Sequence, residues 1–183
     1  MRICRRLFVV PLADNDHGKT TIIRALVSQG MGRKFQKQKK GVREMVTPAG
    51  RIVDAYVFGR SYQEVEKRDY GSVIAALDGN DLDWRRRELV IMPSHVSDIG
   101  VPKGKDDIQQ IIEAAHGAGF DAICASVAYD GNFEFQQILF ADIWARSWDE
   151  RWTIPNPAQG EPEGQLDALG RDFWFWISRT LVP

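Results

Sequence analysis

The order of apolar and polar residues near the start of the chain limits its possible folds more than any other feature. An apolar stretch, Leu7–Leu12, leads into the loop Ala13-Asp14-Asn15-Asp16-His17-Gly18-Lys19-Thr20-Thr21, and the apolar-periodic segment Ile22–Val27 follows. This order predicts a strand, a loop and then a helix over Gly18–Gln29. The loop would end at the N-terminus of that helix, where backbone N–H groups and the helix dipole favour an anion.

The residues at the end of this loop suit the binding of phosphate groups. Gly18 lets the backbone approach a phosphate closely. Lys19 can supply a cation for the β- and γ-phosphates, and Thr20 can supply a hydroxyl for Mg²⁺. The spacing matches G-x-x-x-x-G-K-[ST], with Ala13 at the position of the first glycine. We therefore expect the residues 13–21 to contact a nucleotide, Thr20 to contact a metal, and Lys19 to be catalytic and solvent-facing until the ligand binds.

On these residues the chain resembles the P-loop NTPase superfamily, over about the first thirty residues. The loop is similar to that of translational GTPases, which reads G-H-V-D-H-G-K-T-T. The resemblance implies a P-loop NTPase fold, bound ATP or GTP, and Mg²⁺ as cofactor. The D-x-x-G motif of GTPases falls here on Tyr56-Val57-Phe58-Gly59, and the N-K-x-D motif falls on Val127-Ala128-Tyr129-Asp130, which keeps only its aspartate.

Two aspartates complete the predicted site. Asp130, as the remnant of N-K-x-D, is the expected nucleotide contact outside the loop. Asp54 is the best candidate for the carboxylate on the Mg²⁺ side and for a catalytic role, although it lies in the middle of a predicted strand. We therefore assign Thr20 and Asp54 to the metal, and Lys19 and Asp54 to catalysis.

The rest of the chain alternates predicted strands with predicted helices. This alternation predicts an α/β fold with three α/β/α layers and a mostly parallel sheet of five or six strands, in a single domain over residues 1–183. Ligands of such sheets bind beyond the carboxyl ends of the strands. We therefore expect the phosphate loop, Asp54 or the residues after it, Ser94-His95 and Tyr129-Asp130 to share one rim.

Composition limits the cellular compartment and the classes of partner that the protein is expected to have. A net charge of −1 argues against a chain that is basic throughout, and no apolar segment reaches a transmembrane length. The apolar run after Arg5-Arg6 is short, so it is interpreted as a strand and not as a signal peptide. Cys4 and Cys124 have no metal-binding or redox spacing and are expected to be reduced thiols. These features predict a cytoplasmic protein without membrane contact.

Two other segments raise the question of partners. The segment Arg33–Arg43 is basic with no acidic residue, which favours a solvated, mobile loop; a switch loop or a site for nucleic acid or an acidic protein is the alternative. Trp144, Trp148 and Trp152 lie four residues apart and predict one helical stripe packed on the sheet. A protein partner at the tryptophan-rich helices is the other interpretation.

The function expected from these patterns is Mg²⁺-dependent binding of a nucleoside triphosphate, with slow or partner-stimulated hydrolysis, in a nucleotide-dependent switch or regulatory module. One alternative is a small-molecule kinase that uses ATP, with Arg146 and Arg151 closing over the phosphoryl group and Ser94, His95 and Asp98 facing the acceptor. Another is a GTPase-like domain with a degenerate base-recognition motif. The sequence leaves ATP and GTP both open.

Overall fold

The computed structural model describes residues 5–14, 16–96, 106–129, 140–156 and 162–181. The strands are β1 (Leu7–Leu12), β2 (Gly41–Val46), β3 (Ile52–Val57), β4 (Leu89–Ile91), β5 (Asp121–Tyr129) and β6 (Glu150–Asn156). The helices are α1 (Lys19–Gly30), α2 (Glu66–Tyr70), α3 (Val73–Asn80), α4 (Asp107–Gly117), α5 (140–144) and α6 (Pro162–Leu181), with a 3₁₀ turn at Trp84–Arg86.

The six strands form one sheet in the order β2-β3-β4-β1-β5-β6. β2 and β3 are an antiparallel hairpin, and every other neighbouring pair is parallel. β1 lies inside the sheet, between β4 and β5, and all six of its residues are buried. The expected α/β architecture with a mostly parallel sheet is confirmed.

Helices cover both faces of the sheet, and β1 contributes to both cores. Phe8, Val10 and Leu12 pack in one core with side chains of α3 and α4. Leu7 and Val9 pack in the other core with side chains of α1 and α6. Successive strand residues point to opposite faces, so a strand covered on both sides must be apolar throughout.

A glycine lets α1 and α6 approach closely. A Cβ atom added at Gly170 would lie 2.4 Å from the Cβ of Ala25 and 2.7 Å from the backbone oxygen of Ile22, distances that no real Cβ adopts. The close crossing also sets where the N-terminal part of α6 lies, and Leu166 there is in contact range of Gly18. α6 therefore covers one side of the loop that follows β1.

The predicted tryptophan stripe is wrong. Helical structure ends at residue 144, Trp148 lies in the connection to β6, and Trp152 lies on β6 itself. Trp144 and Trp148 pack with one core and Trp152 with the other. The guanidinium of Arg151 donates hydrogen bonds to the carbonyls of Trp144, Arg146 and Trp148, which stabilises the turn that ends the helix.

The pattern Ser61-Tyr62-Gln63-Glu64 is typical of a capping box and predicts a helix that starts there, but the helix begins at Glu66. The backbone N–H of Tyr62 donates to the carbonyl of Pro93, at 2.9 Å, and the side chain of Gln63 bonds to Ser94. These contacts hold residues 62 and 63 against the end of β4, so they cannot form the first turn of a helix. Among the described residues, no helix has both the length and the apolar character that crossing a membrane requires.

Candidate functional site

Five segments meet where the parallel strands have their carboxyl ends. The loop 13–18 follows β1, Gln63 and Glu64 follow β3, Ser94 and His95 follow β4, and Tyr129 and Asn156 are the last residues of β5 and β6. The expected rim therefore exists for the loop, for the residues after β3, for Ser94-His95 and for Tyr129. Asn15, Asp98 and Asp130 lie outside the described residues.

The backbone of the loop turns sharply before α1. Asp16 and Gly18 both have positive φ angles, 60° and 88°. Gly18 occupies the cap position of α1 and has no side chain that could accept hydrogen bonds from the first turn. The N–H groups that open a helix have no partner within it. They are therefore available to an anion at this end of α1.

Lys19 is buried, contrary to the expectation that it faces solvent. Its side chain folds back over the loop, and Nζ donates hydrogen bonds of 2.6 Å to the backbone oxygens of both Ala13 and Asp14. Only 7% of the residue is exposed. Burial lowers the pKa of Lys19 to about 8, against the opposing charges of Glu64, Asp14 and Asp16. The ammonium group is therefore a poorly hydrated cation next to the helix N-terminus.

A hydrogen-bond network fixes the end of β4 beside the loop. The N–H of Ser94 donates to the carbonyl of Pro11 at 3.0 Å, and the side chain of Gln63 donates to Oγ of Ser94 at 2.8 Å. The N–H of His95 donates to Oε1 of Gln63 at 3.1 Å. Gln63 thus holds Ser94 and His95 in place.

His95 and Glu64 complete the side of the site that faces Lys19. Oε1 of Glu64 lies 3.7 Å from Nε2 of His95, and the His95 side chain is buried. Burial, together with the charge of Lys19, lowers the pKa of His95 below its ordinary value of 6.5, so the imidazole is neutral at pH 7. Glu64 was not predicted at this site, because the sequence placed it in the capping box Ser61-Tyr62-Gln63-Glu64.

The opposite side of the loop is held by β5, β6 and α6. The ring of His17 stacks on the ring of Tyr129, with centroids 4.8 Å apart and planes 19° apart. Nδ2 of Asn156 donates to the carbonyl of His17 at 3.0 Å, and Oδ1 of Asn156 is buried without a partner among the described residues. Asn156 and Leu166 were not predicted, because nothing in their local sequence relates them to a loop some 140 residues away.

Asp54 does not join this site. Both oxygens of its carboxylate accept hydrogen bonds from Nη1 of Arg87, at 2.9 and 2.8 Å. Arg87 precedes β4, so the pair lies toward the amino ends of two parallel strands, whereas the loop follows the carboxyl end of β1. The roles predicted for Asp54 therefore have no geometric support. The arginines predicted to close over a phosphoryl group are also engaged elsewhere, Arg146 with Asp106 and Arg151 with three carbonyls.

The loop fits a magnesium ion only if a ligand supplies most of the coordination. Within the described residues, no group of three or more His, Cys, Asp or Glu side chains could hold a metal. Thr20 is exposed in the first turn of α1. Mg²⁺ commonly keeps several waters and takes one or two protein ligands together with substrate phosphates. The hydroxyl of Thr20 suits such a partial shell.

Comparison with models of known protein families finds no match, and a search of curated proteins finds none either.

Proposed function

We propose that the loop 13–21 binds the phosphate groups of a nucleoside triphosphate together with Mg²⁺. The observation that carries the proposal is Lys19, a buried cation whose hydrogen-bond partners are two neutral carbonyls. Burying a charge is costly unless an opposite charge compensates it. A phosphate at the N-terminus of α1 would supply that charge.

Each loop residue has a distinct role in this proposal. The backbone at Gly18 and the first-turn N–H groups of α1 bind phosphate oxygens. Lys19 would leave one or both loop carbonyls and donate to the β- and γ-phosphates, and the hydroxyl oxygen of Thr20 would coordinate the metal. Mg²⁺ supplies charge neutralisation on the phosphates when it is bound.

We further propose that the isolated chain hydrolyses the nucleotide slowly. Phosphoryl transfer requires cations placed against the transferred phosphoryl group, where they stabilise its negative charge. Among the described residues, Lys19 is the cation bonded to the loop, while Arg146 and Arg151 form their hydrogen bonds away from the site. A partner that supplies a further cation would accelerate hydrolysis, which fits a nucleotide-dependent switch or regulatory module.

The kinase alternative has less support. Ser94 is fully buried, and its hydroxyl both accepts from Gln63 and donates to the carbonyl of His95. An acceptor substrate would have to displace this network. The GTPase alternative differs in the base that is bound, guanine, for which Asp130 is the expected contact. A preference for GTP over ATP would support it.

Thermal melting with a panel of nucleotides tests the proposal. ATP, GTP, ADP and GDP are each added with Mg²⁺ and with a chelator. At a nucleotide concentration of about 100 times Kd, linkage predicts about 2.7 kcal/mol of stabilisation, which is a rise of roughly 5–10 °C in a domain of this size. A rise in melting temperature that occurs with the nucleotides of one base and requires Mg²⁺ supports the proposal and identifies the nucleotide. No rise with any nucleotide contradicts it.

A further inference from the structure

A surface rich in positive charge lies along α1, beyond its first turn. One cavity of about 580 Å³ is lined by Arg24, Arg33, Lys34 and Arg171. A second cavity of about 410 Å³ is lined by Lys37, Lys39 and Arg43. Phe35 lines both cavities. We call these seven basic residues and the two cavities the cationic groove.

The charge of the groove is largely uncompensated. Asp167 is the one acidic residue among those lining the two cavities, and it lies 3.8 Å from Arg24. Lys34, Lys37 and Lys39 are exposed, and none forms an ion pair with a described residue. The segment 33–43 contains six basic residues in a chain whose net charge is −1, so positive charge is concentrated here.

The segment is anchored to the fold, which gives the charges defined positions. The N–H of Phe35 donates to Oγ of Ser28 at 3.0 Å, and the Phe35 ring packs with the core beside α1. The guanidinium of Arg33 lies 4.8 Å from the centroid of that ring. Nη2 of Arg43 donates to the carbonyl of Lys39 at 2.8 Å. The lysines between these anchors therefore project from a held backbone.

We propose that the cationic groove binds the phosphate backbone of a nucleic acid. Protein partners usually need an apolar or aromatic centre in the interface, and the one aromatic side chain lining this groove, Phe35, is already packed against the core. A nucleic acid backbone needs only a row of cations, which bind by releasing counterions. The proposal does not depend on nucleotide binding at the loop.

Fluorescence anisotropy with labelled oligonucleotides of about 20 nucleotides tests the proposal. Single-stranded and duplex DNA and RNA are titrated with the full chain at salt concentrations from about 50 to 200 mM. The triple variant Lys34→Gln/Lys37→Gln/Lys39→Gln should weaken binding at least about tenfold and reduce the slope of log affinity against log salt by about 2 to 3.

A matched control removes the same charge elsewhere. The variant Arg68→Gln/Arg86→Gln/Arg179→Gln changes three exposed arginines that lie outside the groove. It should bind nucleic acid like the wild type, and so should Lys19→Met, which separates this proposal from the one for the loop. Equal melting temperatures of the two triple variants exclude misfolding as the cause.

Three results would overturn the proposal: no binding at the lowest salt, equal weakening by both triple variants, or displacement of the oligonucleotide by polyglutamate at equal charge concentration. The last of these would indicate an acidic protein as the partner.

Discussion

Nζ of Lys19 lies 2.6 Å from the backbone oxygen of Ala13, so the lysine that opens α1 is bonded to the loop that precedes the helix. Ala13 stands at the first position of the phosphate-loop pattern and Lys19 at its seventh. The bond therefore closes the loop on itself. In the proposed complex a phosphate oxygen would replace a carbonyl as the partner of the ammonium group.

Nucleotide binding should take up a proton near pH 8.5. Burial lowers the pKa of Lys19 to about 8 from its ordinary value of 10.5, so part of the ligand-free protein has a neutral Lys19 above pH 8. A bound triphosphate stabilises the charged form and raises this pKa. Affinity is then highest below pH 8 and declines as pH rises through 8. Calorimetry at pH 8.5 in buffers of different ionisation enthalpy measures the uptake.

The control for this titration is the same experiment near pH 6.5. There Lys19 is charged both with and without nucleotide, so it contributes nothing to the proton uptake. Proton uptake by Lys19 would be refuted by equal heats in all buffers at pH 8.5 despite tight binding.

Asp54→Asn should leave nucleotide affinity and its Mg²⁺ dependence unchanged. Its carboxylate pairs with Arg87 away from the loop, and Arg87 keeps its bond to the carboxylate of Asp81 when Asp54 is changed. Thr20→Ala, in contrast, should weaken binding in Mg²⁺ but not in chelator. Titration of both variants with and without the metal compares the two positions. A Mg²⁺-specific loss in Asp54→Asn would show that this residue acts at the site after all.

Gly170→Ala should destabilise the protein by about 1–3 kcal/mol, the usual cost of overpacking. The added methyl would collide with Ala25 and with the backbone oxygen of Ile22. Gly117→Ala is the matched control, because a Cβ there meets no atom within 4 Å. Urea unfolding of both variants measures the difference. A Gly170→Ala protein as stable as the control would contradict the close crossing of α1 and α6.

Multiple-turnover phosphate release by the purified chain should be slow, below about one turnover per second, which is under the usual range of enzymes. The reason is that no described arginine is aimed at the loop, so stabilisation of the transferred phosphoryl group is incomplete. Fast hydrolysis by the chain alone would show that a group of the chain itself completes the site. Transfer of the phosphoryl group to a small molecule would instead support the kinase alternative.

The local hydrophobic pattern of the sequence predicted the strand before the loop, β1, and the helix after it, α1. The apolar run before the loop predicted a strand, and the periodic residues after it predicted a helix over Gly18–Gln29, within one residue of the observed bounds, because burial on both faces and helical periodicity act locally. The rim after β4 and β5 was also predictable, since parallel strands have their carboxyl ends at one edge.

Contacts between distant segments could not be predicted. Lys19 was expected to face solvent. Its actual partners are backbone oxygens, which every residue has, so the sequence does not indicate them. Asp54 was assigned to the site as the best available carboxylate, and its pairing with Arg87 toward the amino ends of β3 and β4 is a tertiary contact that strand patterns do not reveal. Glu64 and Asn156 reach the loop through the tertiary fold alone, as does the capping of α5 by Arg151.

The most direct test of the account is calorimetric titration of Mg·ATP and Mg·GTP into wild type and Lys19→Met. The substitution keeps the length of the side chain and removes its charge. Lys34→Met is the control, since it makes the same change in the cationic groove. Loss of charged hydrogen bonds of about 1.5–3 kcal/mol predicts affinity roughly ten- to a hundredfold lower in Lys19→Met and unchanged in Lys34→Met. Wild-type protein that binds neither nucleotide, or a folded Lys19→Met that binds as tightly as wild type, would contradict the assignment of the loop.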